Sequence, residues 1–252
     1  MKAIILAAGR GRRMKDLTDE RPKCLVELRG KTLLDWQLEA LRKAGIKEIA
    51  IVTGYRRELL TNRKLVEFHN ARWAKTNMVS SLACAEAWLK VDPCIVSYSD
   101  IFYSSTAVES LMACTASLAV TYDPNWLKLW TQRFGDPLLD AETFRLTTDH
   151  TLAEIGNKPK SVGEVQGQYM GLLRIAPEGW KELMSCYLSD SQSKRDLVQM
   201  TTILNEIIQR GNLPIQAVKY DGAWGEVDVP MDLECYPDSA DKGGFPEKNT
   251  LY

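Results

Sequence analysis

The chain has 252 residues, of which 45% are hydrophobic and 26% charged, and its formal net charge is −1 at pH 7. The length suits one large domain with a sizeable core or two small domains, and the composition is that of an ordinary globular protein. The near-neutral charge does not support a broad nucleic-acid-binding or membrane-binding surface, so an anionic ligand requires a local cluster of cations. The apolar runs are all far shorter than the ~20 residues that a membrane span requires.

Six cysteines and two histidines limit the metal and redox chemistry of the chain. None of the cysteines forms a C-x-x-C pair, so a structural zinc site is not expected. Most of the cysteines have apolar neighbours, which predicts that they are buried like small hydrophobic residues. Because the sequence shows no signal-peptide pattern, we expect a protein of the reducing cytoplasm.

Apolar runs alternate with stretches of helical spacing through the first half of the chain. Strands are predicted over residues 3–8, 48–53, 66–72, 93–98, 116–122, 151–155, 168–175 and 213–219. Helices are predicted over residues 31–44, 56–67, 79–89, 178–188 and 196–209. This order predicts an α/β fold with a Rossmann-like, doubly wound, mostly parallel mixed sheet. We expect a single domain over residues 1–236 and a loose surface tail over residues 237–252, which is rich in Asp, Lys, Gly and Pro.

A loop of glycines and arginines, residues 9–13 with the sequence Gly-Arg-Gly-Arg-Arg, directly follows the first predicted strand. Glycines let backbone N–H groups approach an anion closely, and arginines add forked donors that match phosphate oxygens. Lys23 lies ten residues further on and can add a point charge. The loop matches neither the dinucleotide fingerprint nor the P-loop. From local chemistry alone, a surface turn with solvated arginines explains it equally well.

A longer pattern around this loop favours the phosphate-binding interpretation. Leu6-Ala7-Ala8-Gly9-x-Gly11-x-Arg13-Met14, followed by Arg21-Pro22-Lys23, resembles the signature of nucleotidyltransferases that make sugar nucleotides and related activated compounds. The resemblance implies that the loop wraps a nucleoside triphosphate and that Arg13 and Lys23 are catalytic. The nucleotide-binding residues that it implies are Leu6, Ala7, Ala8, Gly9, Arg10, Gly11, Arg12, Lys23, Asn77, Ser99 and Asp100.

Two aspartates complete the resemblance. Asp100 follows the strand predicted over 93–98, and ligands of open α/β sheets bind beyond the carboxyl ends of the strands. A lone Asp in this position is more often a turn former or a helix cap. Asp228 belongs to a Trp-x-Glu-x-Asp segment, which in the family carries the second metal ligand. The resemblance therefore implies that Asp100 and Asp228 hold a Mg²⁺ cofactor.

The stretch over residues 164–172, Glu-Val-Gln-Gly-Gln-Tyr-Met-Gly-Leu, resembles cytidylyltransferases that act on small phosphorylated acceptors. This implies CTP and phosphocholine, 2-aminoethylphosphonate or a phosphorylated amino-acid derivative as substrates. The acceptor-binding residues that we predict are Lys158, Glu164, Tyr169, Trp224 and Glu226. A trimethylammonium acceptor would need an aromatic cage, for which Tyr169, Trp126, Trp130 and Trp224 are available, whereas a primary amine would need carboxylates such as Glu164.

Several alternatives stay open at this stage. A sugar-1-phosphate nucleotidyltransferase uses the same chemistry, although Asn157 stands where sugar-specific members have Glu. A non-catalytic nucleotide-binding homologue is a second alternative, and a redox Rossmann protein, which lacks its fingerprint here, is a third. The tryptophan-rich residues 123–144 suit either core filling or a flap over the acceptor. Nucleic-acid and membrane partners are not expected, and a homodimer is compatible with the sequence.

Overall fold

The fold is seen in a computed structural model that describes residues 1–236, so the tail predicted over 237–252 lies outside the described residues. The strands are β1 (Lys2–Ala7), β2 (Glu27–Leu28), β3 (Lys31–Thr32), β4 (Ile49–Thr53), β5 (Val66–His69), β6 (Cys94–Tyr98), β7 (Ile101–Tyr103), β8 (Leu118–Asp123), β9 (Phe144–Leu146), β10 (Leu152–Ile155), β11 (Gln168–Ile175), β12 (Gln216–Lys219) and β13 (Trp224–Glu226). The α-helices are α1 (Leu33–Lys43), α2 (Met78–Ala83), α3 (Glu86–Leu89), α4 (Ser105–Ala113), α5 (Trp126–Phe134), α6 (Pro177–Ser189), α7 (Gln192–Leu197) and α8 (Met200–Arg210).

A seven-stranded sheet in the order β12-β8-β11-β6-β1-β4-β5 forms the centre of the domain. Its neighbouring strands are parallel except at β11, which runs antiparallel to both β6 and β8. Every residue of β4 and β8 is buried, as expected for strands that are covered on both faces. The predicted α/β, doubly wound, mostly parallel mixed sheet in a single domain is therefore confirmed.

The first helix shows how closely local sequence sets the element boundaries. The Thr32 hydroxyl caps α1 by accepting a hydrogen bond from the backbone N–H of Asp35 over 3.1 Å. Gly45 then adopts a φ of 90° and ends the helix, as a glycine after a C-terminus does. The helix predicted over residues 31–44 is present with shorter ends.

The prediction of a helix over residues 56–67 is wrong. The chain there forms two short 3₁₀ turns, and β5 begins at Val66. Arg56 and Lys64 have left-handed backbones with φ of 49° and 54°, which stops an α-helix at both ends. Leu60 is buried but its neighbours along 56–64 are not, so this segment lacks the apolar stripe that holds a helix to a sheet.

Two further predicted helices are each divided. The prediction over 79–89 corresponds to α2 and α3, which are separated where Ala85 leaves helical geometry with φ −95° and ψ 16°. The prediction over 196–209 corresponds to the end of α7 and to α8, because Val198 and Gln199 are extended between them. Within the described residues, no helix combines the length and the apolar composition that crossing a membrane demands.

The tryptophans of residues 123–144 fill the core. Trp130 is fully buried and stacks on Trp224 with ring centroids 6.2 Å apart, and Trp126 meets Trp130 edge to face at 6.3 Å. The indole N–H groups donate hydrogen bonds within the protein, from Trp126 to the Val165 carbonyl (3.1 Å) and from Trp224 to Asp123 (2.9 Å). These rings are therefore not placed to form an aromatic cage around a ligand, and core filling is the correct interpretation.

Candidate active site

The glycine-rich loop after β1 lies against the side chain of Lys23. Gly11 has a φ of 73°, and a Cβ on it would lie 2.8 Å from the Cβ of Lys23. Only glycine therefore fits this position, both in conformation and in space. The Thr18 hydroxyl donates to the Gly11 carbonyl over 3.1 Å, and the Ala8 carbonyl accepts from the Tyr55 N–H over 2.9 Å. The loop is thus fixed by hydrogen bonds from two other segments.

A cavity of about 290 Å³, which we call the loop cavity, opens in front of this loop. Its lining brings together ten of the residues predicted from the sequence: Leu6, Ala8, Gly9, Gly11, Arg13, Lys23, Asn77, Ser99, Asp100 and Asp228. Ala7, Arg10 and Arg12 lie outside this lining: Ala7 is buried in β1, Arg10 pairs with Asp19, and Arg12 is exposed. Asn77 accepts a hydrogen bond from the N–H of Met78 (2.8 Å) and so caps α2 at the rim of the cavity.

Lys23 lines this cavity and is only 7% exposed. Its ammonium donates to Oδ2 of Asp100 over 2.8 Å and also to Oδ1 of Asp228. Burial by itself lowers the pKa of Lys23, but the two carboxylates outweigh burial and raise the pKa above its ordinary value, so the ammonium stays charged. Arg13 reaches the same Asp228 oxygen at 3.0 Å from the solvent side, with 65% of its side chain exposed. The two predicted catalytic cations therefore converge on one carboxylate.

Asp100, Glu226 and Asp228 form an acidic cluster beside Lys23, with one oxygen of each lying within 4.8 Å of the others. Strand pairing brings them together, because β13 runs antiparallel to β7 and Glu226 lies opposite Ile101. The Val227 N–H also donates to the Asp100 carbonyl over 2.9 Å. This pairing explains how residues more than a hundred positions apart in the chain share one site.

The cluster fits a divalent cation. Oδ1 of Asp100 is buried without a hydrogen-bond partner among residues 1–236, although a buried carboxylate oxygen normally has one. Three carboxylates offer the hard oxygen ligands that Mg²⁺ prefers.

Burial and the neighbouring charge of Asp228 raise the pKa of Glu226 well above its usual range. For Asp228 burial acts in the same direction, but Glu226 and Lys23 outweigh it and hold its pKa below the ordinary value.

Behind the cluster lies Arg133, a residue that the sequence analysis missed. Its side chain is fully buried, and its guanidinium forms a two-bond pair with Asp232, Nε to Oδ1 at 2.9 Å and Nη2 to Oδ2 at 3.0 Å. The same guanidinium lies 3.5 Å from Glu226 and 3.9 Å from Asp228, and 4.8 Å from the centre of the Trp130 ring. Arg133 thus neutralises the back of the acidic cluster.

Asp232 links this arginine to the backbone of the cluster. Its Oδ2 accepts hydrogen bonds from the N–H groups of Asp228 (2.6 Å) and Val229 (2.9 Å). Asp232 follows Asp228 by four residues, so the sequence already places both aspartates in one segment. Arg133 carried no such signal, because it lies on a different element almost a hundred residues earlier.

The predicted acceptor-binding residues are scattered. Lys158 donates to the carbonyls of Leu138 and Leu139, while Glu164 accepts from the Lys160 N–H (2.8 Å) and pairs with Arg145 (3.2 Å). Neither lines the loop cavity, and Trp224 is buried in the core. Tyr169 and Glu226 do come together, because both line a second, smaller cavity of about 150 Å³, which we call the inner cavity.

The inner cavity lies between the loop cavity and a larger open cavity of about 940 Å³, which we call the outer cavity. Met78 and Tyr98 line both the loop cavity and the inner cavity. Glu142 and Gln199 line both the inner cavity and the outer cavity. The carboxylate cluster thus faces the loop cavity through Asp100 and Asp228 and the inner cavity through Glu226.

Comparison with known proteins shows the family of the chain. A family described as the MobA-like NTP transferase domain matches residues 3–160. The chain is 38% identical over 251 residues to CTP:phosphoglutamine cytidylyltransferase of Campylobacter jejuni, covering 93% of this chain and 98% of that protein. It is 48% identical over 58 residues to choline-phosphate cytidylyltransferase of Streptococcus pneumoniae, covering 23% of this chain and 25% of that protein.

Solved structures show the same fold. The inositol-1-phosphate CTP transferase from T. maritima superposes with a TM-score of 0.71 at 17% identity, covering 92% of this chain and 90% of that one. The CTP:phosphocholine cytidylyltransferase of Streptococcus pneumoniae superposes with a TM-score of 0.68 at 21% identity, covering 92% and 96%. Together with the family match, these findings establish that the chain belongs to the MobA-like NTP transferase family.

Proposed function

We propose that this chain is a Mg²⁺-dependent cytidylyltransferase that couples CTP to a small phosphorylated acceptor and releases pyrophosphate. The acceptor that we propose is a phosphorylated amino acid. The observation that carries the proposal is the loop cavity, where a glycine loop, two cations and a carboxylate cluster meet. The choice of CTP rests on the cytidylyltransferase of Campylobacter jejuni, which matches this chain over nearly the whole length of both proteins.

The reaction is a displacement at phosphorus. An oxygen of the acceptor phosphate attacks the α-phosphorus of CTP, and the bond from the α-phosphorus to the bridging oxygen of the β-phosphate breaks. Pyrophosphate leaves with that electron pair. The acceptor oxygen is already anionic at neutral pH, so the site needs no general base. Its task is to hold two anions in line and to stabilise the charge that moves onto the leaving group.

The residues of the loop cavity suit this task. The backbone of the loop offers N–H groups to the phosphates, and Arg13 can approach them from solvent as a forked donor. Lys23 is charged and almost fully buried, so its interaction with a phosphate oxygen is screened little by water. Asp100, Asp228 and Glu226 would hold Mg²⁺, which when bound neutralises charge on the phosphates.

The choice of acceptor rests on two observations. The inner cavity adjoins the cluster at Glu226 and has a polar lining that includes Glu142 and Gln168. The tryptophans that a trimethylammonium cage would use are buried in the core. An amino-acid phosphate, as in the name of the Campylobacter relative, suits a polar cavity better than phosphocholine does.

The test is a substrate matrix. Purified protein is assayed for pyrophosphate release with CTP, UTP, GTP or ATP against phosphoglutamine, phosphocholine, phosphoethanolamine and glucose 1-phosphate, with and without Mg²⁺. We expect turnover that requires Mg²⁺, with CTP and phosphoglutamine as the best pair. Faster turnover with glucose 1-phosphate and another nucleotide would replace this proposal with a sugar-nucleotide synthase. Nucleotide binding without turnover of any pair would indicate a non-catalytic homologue.

A further inference from the structure

The inner cavity gives an acceptor a defined direction. Glu226 of the carboxylate cluster lines the inner cavity, which shares Tyr98 with the loop cavity. Glu142 lines both the inner cavity and the outer cavity. In the proposed reaction, the acceptor phosphate lies beside the cluster, within reach of the CTP α-phosphorus. The remainder of a small acceptor then extends through the inner cavity towards Glu142.

Glu142 is a half-buried carboxylate without a cation. Among residues 1–236 its hydrogen-bond donor is the Thr201 hydroxyl at a long 3.4 Å, and no lysine, arginine or histidine pairs with it. Burial, together with the charge of Asp140, raises its pKa, whereas the Thr201 hydroxyl acts in the opposite direction. A carboxylate that is partly removed from water without a cation is unfavourable, and a ligand cation would offset that cost.

The surroundings of Glu142 suit a primary ammonium group rather than a quaternary one. A primary ammonium has three N–H donors and needs several acceptors. Gln168 and Thr201 line the same cavity and carry acceptor oxygens on their side chains. The Gln168 side-chain amide N–H donates to the Tyr169 carbonyl (3.3 Å). A quaternary ammonium would need exposed ring faces, but Tyr98 and Tyr169 meet each other edge to face, with their centroids 5.8 Å apart.

We propose that Glu142 binds the primary ammonium group of the acceptor and thereby selects amino-acid phosphates over acceptors without an amine. This inference rests on the proposed function, because it places the acceptor phosphate at the cluster. It replaces Glu164 as the head-group carboxylate, since Glu164 pairs with Arg145 and does not line the inner cavity.

The experiment compares two acceptors in matched variants. Phosphoglutamine is assayed beside its desamino counterpart, which keeps the phosphorylated chain and lacks the α-amine, in the wild type and in Glu142→Gln. We expect Glu142→Gln to raise the KM for phosphoglutamine by about 10- to 100-fold, the scale of a lost hydrogen bond to a charged group. The KM values for CTP and for the desamino acceptor should stay within about twofold of the wild type, since neither ligand reaches the Glu142 carboxylate with a cation. Glu142→Asp should keep part of the preference for the amine.

The matched control is Glu109→Gln, which removes an exposed carboxylate from α4, outside the three cavities, and should leave all three KM values unchanged. Thermal unfolding of each variant checks that the fold is intact. If the wild type uses phosphoglutamine but Glu142→Gln affects both acceptors equally, the inference is overturned and the proposed function stands. A wild-type preference for phosphocholine would also overturn the inference that the site binds a primary ammonium group. Failure of the wild type with every amine-bearing acceptor would overturn the proposed function and the inference together.

Discussion

The two sides of the carboxylate cluster are built in different ways. On the loop side, the end of β1, the glycine loop and Lys23 come from one short stretch near the start of the chain and are held by backbone contacts. On the acceptor side, Glu142, Gln168 and Gln199 come from three separate segments that meet at one small cavity. In the proposed function, the loop side would bind the triphosphate, which the chemistry always requires. The acceptor side would bind the acceptor, which differs between the relatives.

This difference has a physical basis. A triphosphate is recognised by backbone N–H groups and point charges, which a single strand-loop segment can supply. An acceptor head group is recognised by side chains from several directions, and these can change one at a time without disturbing the sheet. Arg133 and Asp232 lie behind the cluster and hold it in place.

The largest effect is expected at the cluster that both sides share. Asp228→Asn and Asp100→Asn should each lower kcat by at least ~10²-fold, because a preorganised electrostatic element is lost where charge develops. The measurement is kcat over a Mg²⁺ series, with circular dichroism to confirm the fold. Near-normal kcat in either variant would show that the assigned carboxylate is not a metal ligand.

The next effect is expected at the two cations of the loop side. Lys23→Ala should raise the activation free energy by ~2–4 kcal/mol, the scale for a donor that meets charge in the transition state. Arg13→Lys should lower kcat/KM by roughly tenfold, because an ammonium does not reproduce the fork of a guanidinium. Steady-state kinetics with CTP check both values. Unchanged kcat/KM in both variants would indicate that the loop is a solvated surface turn.

Substitution of Arg133 tests whether the ion pairs behind the cluster matter. Arg133→Met leaves the buried Asp232 without its cation, so the free energy of unfolding should fall by ~3–5 kcal/mol. Urea denaturation measures this loss. Arg133→Lys keeps the charge without the two-bond geometry and should recover part of the stability while raising the Mg²⁺ concentration that half-maximal activity requires. A merely structural arginine would leave that Mg²⁺ dependence unchanged.

The smallest effect is expected at Glu164, which the sequence placed in the acceptor site. Its partner Arg145 is 47% exposed, so loss of the pair in Glu164→Gln should cost at most ~1 kcal/mol of stability. The KM for phosphoglutamine should stay within about twofold of the wild type, because Glu164 does not line the inner cavity. A selective rise in this KM, with no change for the desamino acceptor, would restore Glu164 as the head-group carboxylate.

Local patterns together with the family resemblance predicted the residues of the loop side. The apolar run of β1, the glycines at 9 and 11 and the aspartate after β6 are all read from neighbours in the chain, and the structure brings them together. The helix predicted over 56–67 failed because helical spacing without a buried stripe does not hold a helix to a sheet. Apolar runs along the chain predict the strands of the sheet, whereas the structure of the short connections depends on which of their residues are buried.

The acceptor side depends on contacts that the sequence does not display. Trp126, Trp130 and Trp224 suited an aromatic cage as well as a core, and only their burial distinguishes the two. Arg133 and Glu142 lie in segments without a recognisable motif, and their importance follows from what packs against them. The role of such residues is a property of tertiary packing rather than of spacing along the chain.

The most direct test of the central claim follows the phosphorus atoms of CTP. Wild-type protein and Asp228→Asn are incubated with Mg²⁺, phosphoglutamine and CTP labelled either at the α-phosphorus or at the γ-phosphorus. We predict that the wild type transfers the α-label to the acceptor and releases the γ-label as pyrophosphate, and that Asp228→Asn slows both by at least ~10²-fold. Appearance of the γ-label on the acceptor, or equal rates in the two proteins, would contradict cytidylyl transfer at this cluster.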